Sequence, residues 1–262
     1  MSELLSPWVW LCLSALAAGV VNSVAGGGTL LTFPTLLTVV PPVVANATST
    51  VALVPGSLGG AWGYRRQLRA ASRWLAVLAP PSLAGCLVGS LLVTELPSAY
   101  FAALVPWLIL AAALLFAAQP LAVRLTRRGR PHGPPSGLTV AGVVVFQFFV
   151  AVYGGYFGAG IGILMLSALG LMGLADVHEM NALKNFLAVL INGVSIVVFA
   201  RKGMVEYRYA AVMAVSAVVG GYLGASVARR VRPAIVRWIA VSIGFALAAY
   251  YFYQRWGHGS TP

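Results

Sequence analysis

The sequence predicts an all-α polytopic membrane protein with about eight hydrophobic segments, arranged in two homologous four-segment repeats. Of its 262 residues, 60% are hydrophobic and only 8% are charged, and the mean hydropathy is +0.90. Soluble domains carry roughly 25% charged residues. Apolar runs also recur at the length of about 20 residues that is needed to cross a bilayer. These observations indicate several membrane-spanning helices.

Two of the apolar segments are long and are interrupted by glycine. The segments are 7–40 (interrupted), 45–64, 74–94, 98–120, 138–174 (interrupted), 180–200, 209–228 and 234–254. The first segment of each repeat is therefore predicted to be broken or re-entrant at a Gly-rich stretch. A break strands backbone N–H and C=O groups, which must be buried in protein or face a water-filled cavity. Each break is consequently a candidate binding site.

The two halves of the chain match each other at a fixed offset of 135 residues. We therefore predict a first transmembrane repeat over 1–125, a basic, Pro-rich linker over 126–135, and a second repeat with a short C-terminal tail over 136–262. Glycines four residues apart in each half predict ridges for close helix packing. The matches pair Asn46-Ala47 with Asn181-Ala182, Arg66 with Arg201, Gly85 with Gly220 and Gly89 with Gly224.

The net charge of +12 comes from basic residues in short loops between the segments. This pattern is typical of cytoplasmic loops, so the expected partner is the lipid bilayer and not nucleic acid. The clusters at 65–73 and 124–130 are predicted to be cytoplasmic, and the loop at Glu95 to lie outside. Parallel repeats, in which each long segment crosses once, put twelve basic residues inside; inverted repeats, in which it folds back, put eleven there. Both topologies remain open.

Lys184 is the one ionisable residue placed well inside an apolar helix, where insertion costs about 2.5–3.5 kcal/mol at the span centre. It either binds a substrate or coupling ion, or snorkels to the interface. Asn181 and Asn185 lie at helical spacing from each other and largely share its face. Asn46, Thr48 and Ser49 form a similar polar wall in the first half. Because helix N-termini at a break favour anions, a small anion is the predicted substrate.

The sequence contains few other residues that could couple transport, bind metal or catalyse a reaction. His178 and Glu179 lie in a predicted turn before the Lys184 helix, where they are either solvated or couple transport to protons. Sodium is the other coupling ion considered. No metal cluster, hydrolase triad or phosphate-binding loop can be assembled, so neither an enzyme nor a cofactor is expected. Cys12 and Cys86 lie in apolar segments as small hydrophobic residues. Transport direction and a homodimer are left open.

The motifs around both breaks resemble the TauE/SafE family, the sulfite exporter and toluene-sulfonate uptake permease family. The first half carries AGGGTLLTFP (25–34) and ANATS (45–49); the second carries GAGIGILML (158–166) and NALKNF (181–186). In a departure, Ala168 stands where the first half has Pro34. The resemblance implies a carrier in the prokaryotic cytoplasmic membrane for small anions such as sulfite, sulfonates or sulfoacetate.

The combined prediction is a secondary transporter that works by alternating access. A passive anion channel and a membrane-embedded binding or assembly subunit are the alternatives. The predicted substrate contacts comprise polar side chains and break glycines from both halves: Asn22, Gly26, Gly27, Gly28, Asn46, Thr48, Ser49, Gly158, Gly160, Gly162, Asn181, Lys184 and Asn185.

Overall fold

The computed structural model describes residues 7–24, 27–63, 65–128, 136–171, 174, 177–227 and 233–257. Within these residues the regular structure is entirely helical, which confirms the all-α class. The helices are α1 (Pro7–Val24), α2 (Thr29–Leu36), α3 (Pro42–Gly63), α4 (Arg65–Ala70), α5 (Ser72–Glu95), α6 (Ser98–Arg128), α7 (Gly137–Tyr156), α8 (Ile161–Leu171), α9 (Val177–Arg201), α10 (Tyr207–Val227) and α11 (Pro233–Gly257).

Four helices in the described part of the chain are long and apolar enough to cross a membrane. They run over Ser72–Glu95, Ser98–Leu121, Gly137–Tyr156 and Glu179–Arg201, and two shorter apolar helices cover Pro7–Asn22 and Ile161–Gly170. The two long predicted segments are each divided, the first into α1 and α2 and the second into α7 and α8. The divisions fall at the glycines that the sequence singles out.

The outer surface of the helices is apolar, and several polar side chains are buried. Leu114, Phe149 and Val215 are 51%, 63% and 67% exposed, while Asn46 and Gln147 are each 1% exposed. This arrangement is the reverse of a soluble protein and suits hydrocarbon, which solvates apolar groups and leaves polar groups to find partners inside the protein.

Helices α5 and α7 touch through their backbones. A Cβ at Gly85 would overlap the carbonyl of Phe148, and a Cβ at Gly89 would overlap the carbonyl of Val152. The predicted packing role of this glycine ridge is therefore confirmed. Because the contacts advance in the same direction along both helices, α5 and α7 run parallel.

Helices α1 and α10 make the same kind of contact. Gly220 of α10 lies against the Leu16 carbonyl of α1, and the rings of Trp8 and Tyr209 stand 4.9 Å apart at the helix starts. These two helices are also parallel, and the ridge is confirmed at Gly220. The surroundings of Gly224 lie outside the described part of the chain.

Helices α6 and α11 run in opposite directions. Trp107 packs edge-on against Phe252, with ring centroids 4.8 Å apart, and Gly244 lies against Ala113. The residue numbers rise along α6 as they fall along α11, so the pair is antiparallel.

Helix α2 folds back along α1. Gly28, at the start of α2, packs against Ala18, where an added Cβ would stand 2.7 Å from the carbonyl oxygen. In one continuous helix, these two residues would be about 15 Å apart along the axis. The chain has therefore turned back toward α1 by Gly28.

An ion pair joins the ends of α5 and α9. Lys202 Nζ lies 2.6 Å from Glu95 Oε1, so both helix ends are on the same side of the molecule. The single-crossing topology separates these residues by the whole membrane, with Glu95 outside and Lys202 inside. The ion pair contradicts that alternative and agrees with segments that fold back.

Some predicted boundaries differ from the structure. Helix α6 continues to Arg128, so the predicted linker begins inside a helix, and 129–135 lie outside the described residues. Helix α9 begins at Val177, which puts His178 and Glu179 in its first turn and not in a preceding turn. An acidic residue there is favoured by the helix dipole. The short helix α4 forms within the basic cluster that was predicted as a loop.

Candidate functional site at the two helix breaks

The first break is held by hydrogen bonds within its own segment. The backbone N–H of Gly27 donates to Asn22 Oδ1 at 3.1 Å, and Leu31 N–H donates to the Gly28 carbonyl at 2.9 Å. Gly27 has φ +100°, a conformation that side chains with a Cβ rarely adopt. Asn22 thus stabilises the turn itself. Gly26 lies outside the described residues.

The hydroxyl groups of the first polar wall already have protein partners. Thr32 Oγ1 and Ser49 Oγ lie 2.6 Å apart, which ties α2 to α3. Thr32 Oγ1 also lies 3.4 Å from the Gly28 carbonyl, to which it donates. Thr48 Oγ1 accepts a hydrogen bond of 3.0 Å from the backbone N–H of Glu206, just before α10. Thr48 and Ser49, both predicted as substrate contacts, are fully buried in these interactions.

The second break lies between Tyr156, where α7 ends, and Ile161, where α8 begins. Gly158 and Gly160 have φ angles of +81° and +82°, so the chain turns sharply at two glycines. Tyr153 Oη donates to the Ala159 carbonyl at 2.8 Å and holds the break against α7. The sequence analysis missed this residue, although a tyrosine hydroxyl in an apolar helix signals a hydrogen-bond partner.

Asn46 connects α3 to the second break. Its Nδ2 donates to the Tyr156 carbonyl at 3.0 Å. Its Oδ1 is buried and has no hydrogen-bond partner among the described residues. Asn46 therefore differs from Thr48 and Ser49, because one of its polar atoms is left unsatisfied.

Lys184 reaches the other end of the second break. Its aliphatic chain lies over α8 near its start, and a Cβ at Gly162 would stand 3.2 Å from Lys184 Cδ. Within the described residues, no carboxylate pairs with the Lys184 ammonium group; the ion pair found there joins Lys202 and Glu95. Asn181 and Asn185 lie on the same helix and are half-buried. The side chain of His178 lies outside the described part of the chain.

Phe116 of α6 brings the two breaks together. A Cβ at Gly27 would overlap the outer end of its ring, 1.7 Å from Cζ, and a Cβ at Gly160 would stand 3.7 Å from its Cε2. Phe33 of α2 also packs edge-on against Phe157 in the second break, with ring centroids 5.1 Å apart. The fully buried Phe116 ring fills the space between the breaks. Nothing in its apolar sequence context indicates this role.

The described residues contain no group of three or more His, Cys, Asp or Glu side chains that could hold a metal ion. Cys86 is buried and Cys12 is half-buried, and both are free thiols.

These features define a multi-pass helical membrane protein with two helix breaks, each held by hydrogen bonds with polar side chains. Residues 11–251 match the family model described as sulfite exporter TauE/SafE, and the chain belongs to that family. The resemblance noted from the motifs is thereby confirmed. The description of this family and the names of the relatives below identify the chain as a membrane transporter.

Three relatives carry the name "Probable membrane transporter protein". The Haemophilus influenzae protein is 28% identical over 92% of this chain and 93% of its own length. The Sinorhizobium protein (ORF9) is 28% identical over 91% and 90%, and Escherichia coli K12 YfcA is 27% identical over 93% and 88%. No solved structure matches the chain significantly.

Proposed function

We propose that this protein is a secondary transporter that moves a small, sulfur-containing anion across the prokaryotic cytoplasmic membrane by alternating access. Sulfite, a sulfonate and sulfoacetate are the substrates to test. The single observation that carries the proposal is Lys184, a lysine without a carboxylate partner among the described residues that lies over a helix start inside an apolar protein. A partly buried cation near a helix N-terminus favours a bound anion.

The proposed architecture is a pair of inverted repeats, α1–α6 and α7–α11. Three contacts support it. Helix α1 packs parallel to α10, while α7, the equivalent of α1, packs parallel to α5, the equivalent of α10. The equivalent helices α6 and α11 contact each other and are antiparallel. A pseudo-two-fold axis in the membrane plane inverts one repeat relative to the other. Equivalent helices then exchange packing partners, and two equivalent helices that contact each other run antiparallel.

The proposed site lies between the repeats. Asn46 comes from the first repeat and Lys184 from the second, and both reach the break between α7 and α8. Broken helices near the bilayer midplane hold substrates in other inverted-repeat carriers. In the present conformation Phe116 fills the space between the breaks, so substrate entry requires the helices around it to separate. This requirement fits a carrier better than an open channel.

Uptake into proteoliposomes tests the proposal, and the chain provides its own control. Lys184 and Lys202 are its only two lysines. Lys184→Met keeps most of the side-chain shape and removes the charge, and we expect it to abolish saturable uptake of sulfite, sulfonates and sulfoacetate. Lys202→Met removes an exposed, ion-paired lysine and should leave uptake unchanged.

The dependence of uptake on ion gradients distinguishes a coupled carrier from a passive channel. A carrier gives saturable uptake that an imposed proton or sodium gradient drives above equilibrium. Loss of proton-driven uptake in Glu179→Gln would assign the coupling to that residue. Flux that never exceeds equilibrium would favour the passive channel, and equal uptake by wild type and Lys184→Met would refute the assigned anion site.

A further inference from the structure

We propose that the transported anion carries a hydrogen-bond donor in addition to its negative charge, and that this donor binds Asn46 Oδ1. The inference rests on the proposed function and deepens it, because it defines the substrate class. It comes from the Asn46 amide at the second break, whose buried oxygen has no partner among the described residues.

The orientation of the Asn46 amide is fixed by its neighbour. The Tyr156 carbonyl can only accept, so the amide nitrogen of Asn46 must face it, at 3.0 Å. The amide oxygen therefore points away as an acceptor, and it is buried without a donor among the described residues. A buried acceptor in this state is destabilising until a donor reaches it.

The donor and the negative charge belong to one ligand, because their partners flank the same short segment. Asn46 binds Tyr156, the last residue of α7, and Lys184 lies over Gly162, the second residue of α8. Six positions of chain, bent at Gly158 and Gly160, separate the two points. A small molecule at this break meets a cation at one end and an acceptor at the other.

The described part of the first break shows neither a cation nor an unsatisfied buried acceptor. Its turn is closed by neutral hydrogen bonds, one donated by the Gly27 N–H to Asn22 Oδ1 and one between the hydroxyl groups of Thr32 and Ser49. The hydroxyl groups of Thr32 and Ser49 are partners of each other, and no lysine occurs in the first half of the sequence. The geometry therefore assigns the ligand to the second break alone.

The substrate class that fits is a monoanion bearing an O–H or N–H group, such as a hydroxy-substituted sulfonate or the protonated form of a sulfur oxyanion. An anion without a donor, such as an alkyl sulfonate, would leave Asn46 Oδ1 unsatisfied. Discrimination of this kind is strong where a site is built to bond a group that the competitor lacks.

Two sulfonates of equal charge and nearly equal size test the inference. Isethionate (2-hydroxyethanesulfonate) and propane-1-sulfonate differ only in a terminal hydroxyl or methyl group. With the full-length protein in proteoliposomes, we expect the concentration of isethionate for half-maximal uptake, or for half-inhibition of sulfite uptake, to be about tenfold lower than that of propane-1-sulfonate.

Variants locate the preference. Asn46→Leu should retain both sulfonates through Lys184 and reduce their ratio to about one. Asn46→Asp keeps an acceptor oxygen in the same place, so it should weaken both anions but preserve the hydroxyl preference. Gln147→Leu is the matched control, because it makes the same amide-to-leucine change at a buried site on α7, where the amide bonds Ser82, and it should keep the tenfold ratio.

Each failure has a distinct meaning. Equal affinities in the wild type would overturn the donor inference and leave the proposed function standing, provided that uptake still depends on Lys184. A preference that survives in Asn46→Leu would remove the assignment to Asn46. Failure of both sulfonates to bind, together with sulfur-oxyanion uptake that ignores Lys184→Met, would overturn the inference and the proposed function alike.

Discussion

Replacing Gly27 by alanine should strongly destabilise the protein, for two separable reasons. The backbone at Gly27 has φ +100°, which costs a residue with a Cβ about 1–3 kcal/mol. The added methyl group would also overlap the outer end of the Phe116 ring, and overpacking of this kind costs about 1–3 kcal/mol. We therefore expect Gly27→Ala to lower the free energy of unfolding by about 2–6 kcal/mol.

A double-mutant cycle measured by equilibrium unfolding in mixed micelles separates the two costs. Phe116→Ala alone should cost about 3–5 kcal/mol through the cavity it leaves. In the double variant the overlap is gone, so the combined loss should fall short of the sum by about 1–3 kcal/mol. The cost of the backbone conformation should remain, because no neighbour causes it.

The control is a glycine with free space around it. Gly142 lies on the exposed side of α7 with nothing within 4 Å of an added Cβ. Gly142→Ala should leave stability unchanged or raise it by about 0.5–1 kcal/mol, since alanine is the better helix former. If Gly27→Ala were as mild as Gly142→Ala, or showed no coupling to Phe116→Ala, the contact between the break and α6 would be refuted.

Two further predictions concern topology and packing. In a chain without its native cysteines, Glu95→Cys and Lys202→Cys should both react with a membrane-impermeant thiol reagent from the outer side. Reaction of Lys202→Cys from the cytoplasmic side alone would instead support the single-crossing topology. Gln147→Leu should lower the free energy of unfolding by only about 0.6 kcal/mol, the average for an interhelical hydrogen bond in a membrane. The loss is small because Ser82 keeps its own hydrogen bond to the Leu78 carbonyl. A loss of several kcal/mol in mixed micelles would contradict this prediction.

The helix breaks could be predicted from the sequence because glycine is a local signal. Gly27, Gly158 and Gly160 adopt conformations that favour glycine over other residues, and such a requirement is visible without knowing any neighbour. The role of Phe116 is different in kind. A phenylalanine within an apolar helix looks the same whether it faces lipid or fills the space between two breaks, so only the packing of α6 reveals it.

The polar wall of α3 could be predicted only as a group. Asn46, Thr48 and Ser49 follow closely in sequence, but a helix turns by about 100° per residue, so they face different neighbours. Ser49 meets Thr32 of α2, Thr48 meets the backbone before α10, and Asn46 meets the end of α7. Which residue is left with an unsatisfied atom depends on these three approaches, and none of them is encoded locally.

The topology could not be decided from charge, because the two arrangements differ by one basic residue inside. The contact between Glu95 and Lys202 joins segments that are distant in sequence and puts both on one side of the molecule, which supports the proposed inverted arrangement. A count of basic residues assigns each loop to a side separately, whereas a contact between two loops requires both to lie on the same side of the membrane. A single contact between loops therefore carries more information about orientation than the distribution of all the basic residues.

The unequal chemistry of the two breaks bears on how the proposed carrier works. Inverted repeats exchange conformations between the inward-open and outward-open states, so the repeats need similar shapes but not similar ligands. The described groups of the first break are satisfied by neutral hydrogen bonds, whereas the second break combines Lys184 with the open acceptor of Asn46. Because these two residues come from different halves of the chain, an anion bound as proposed would contact both repeats. The proposed mechanism therefore predicts that substrate binding couples the movements of the two repeats.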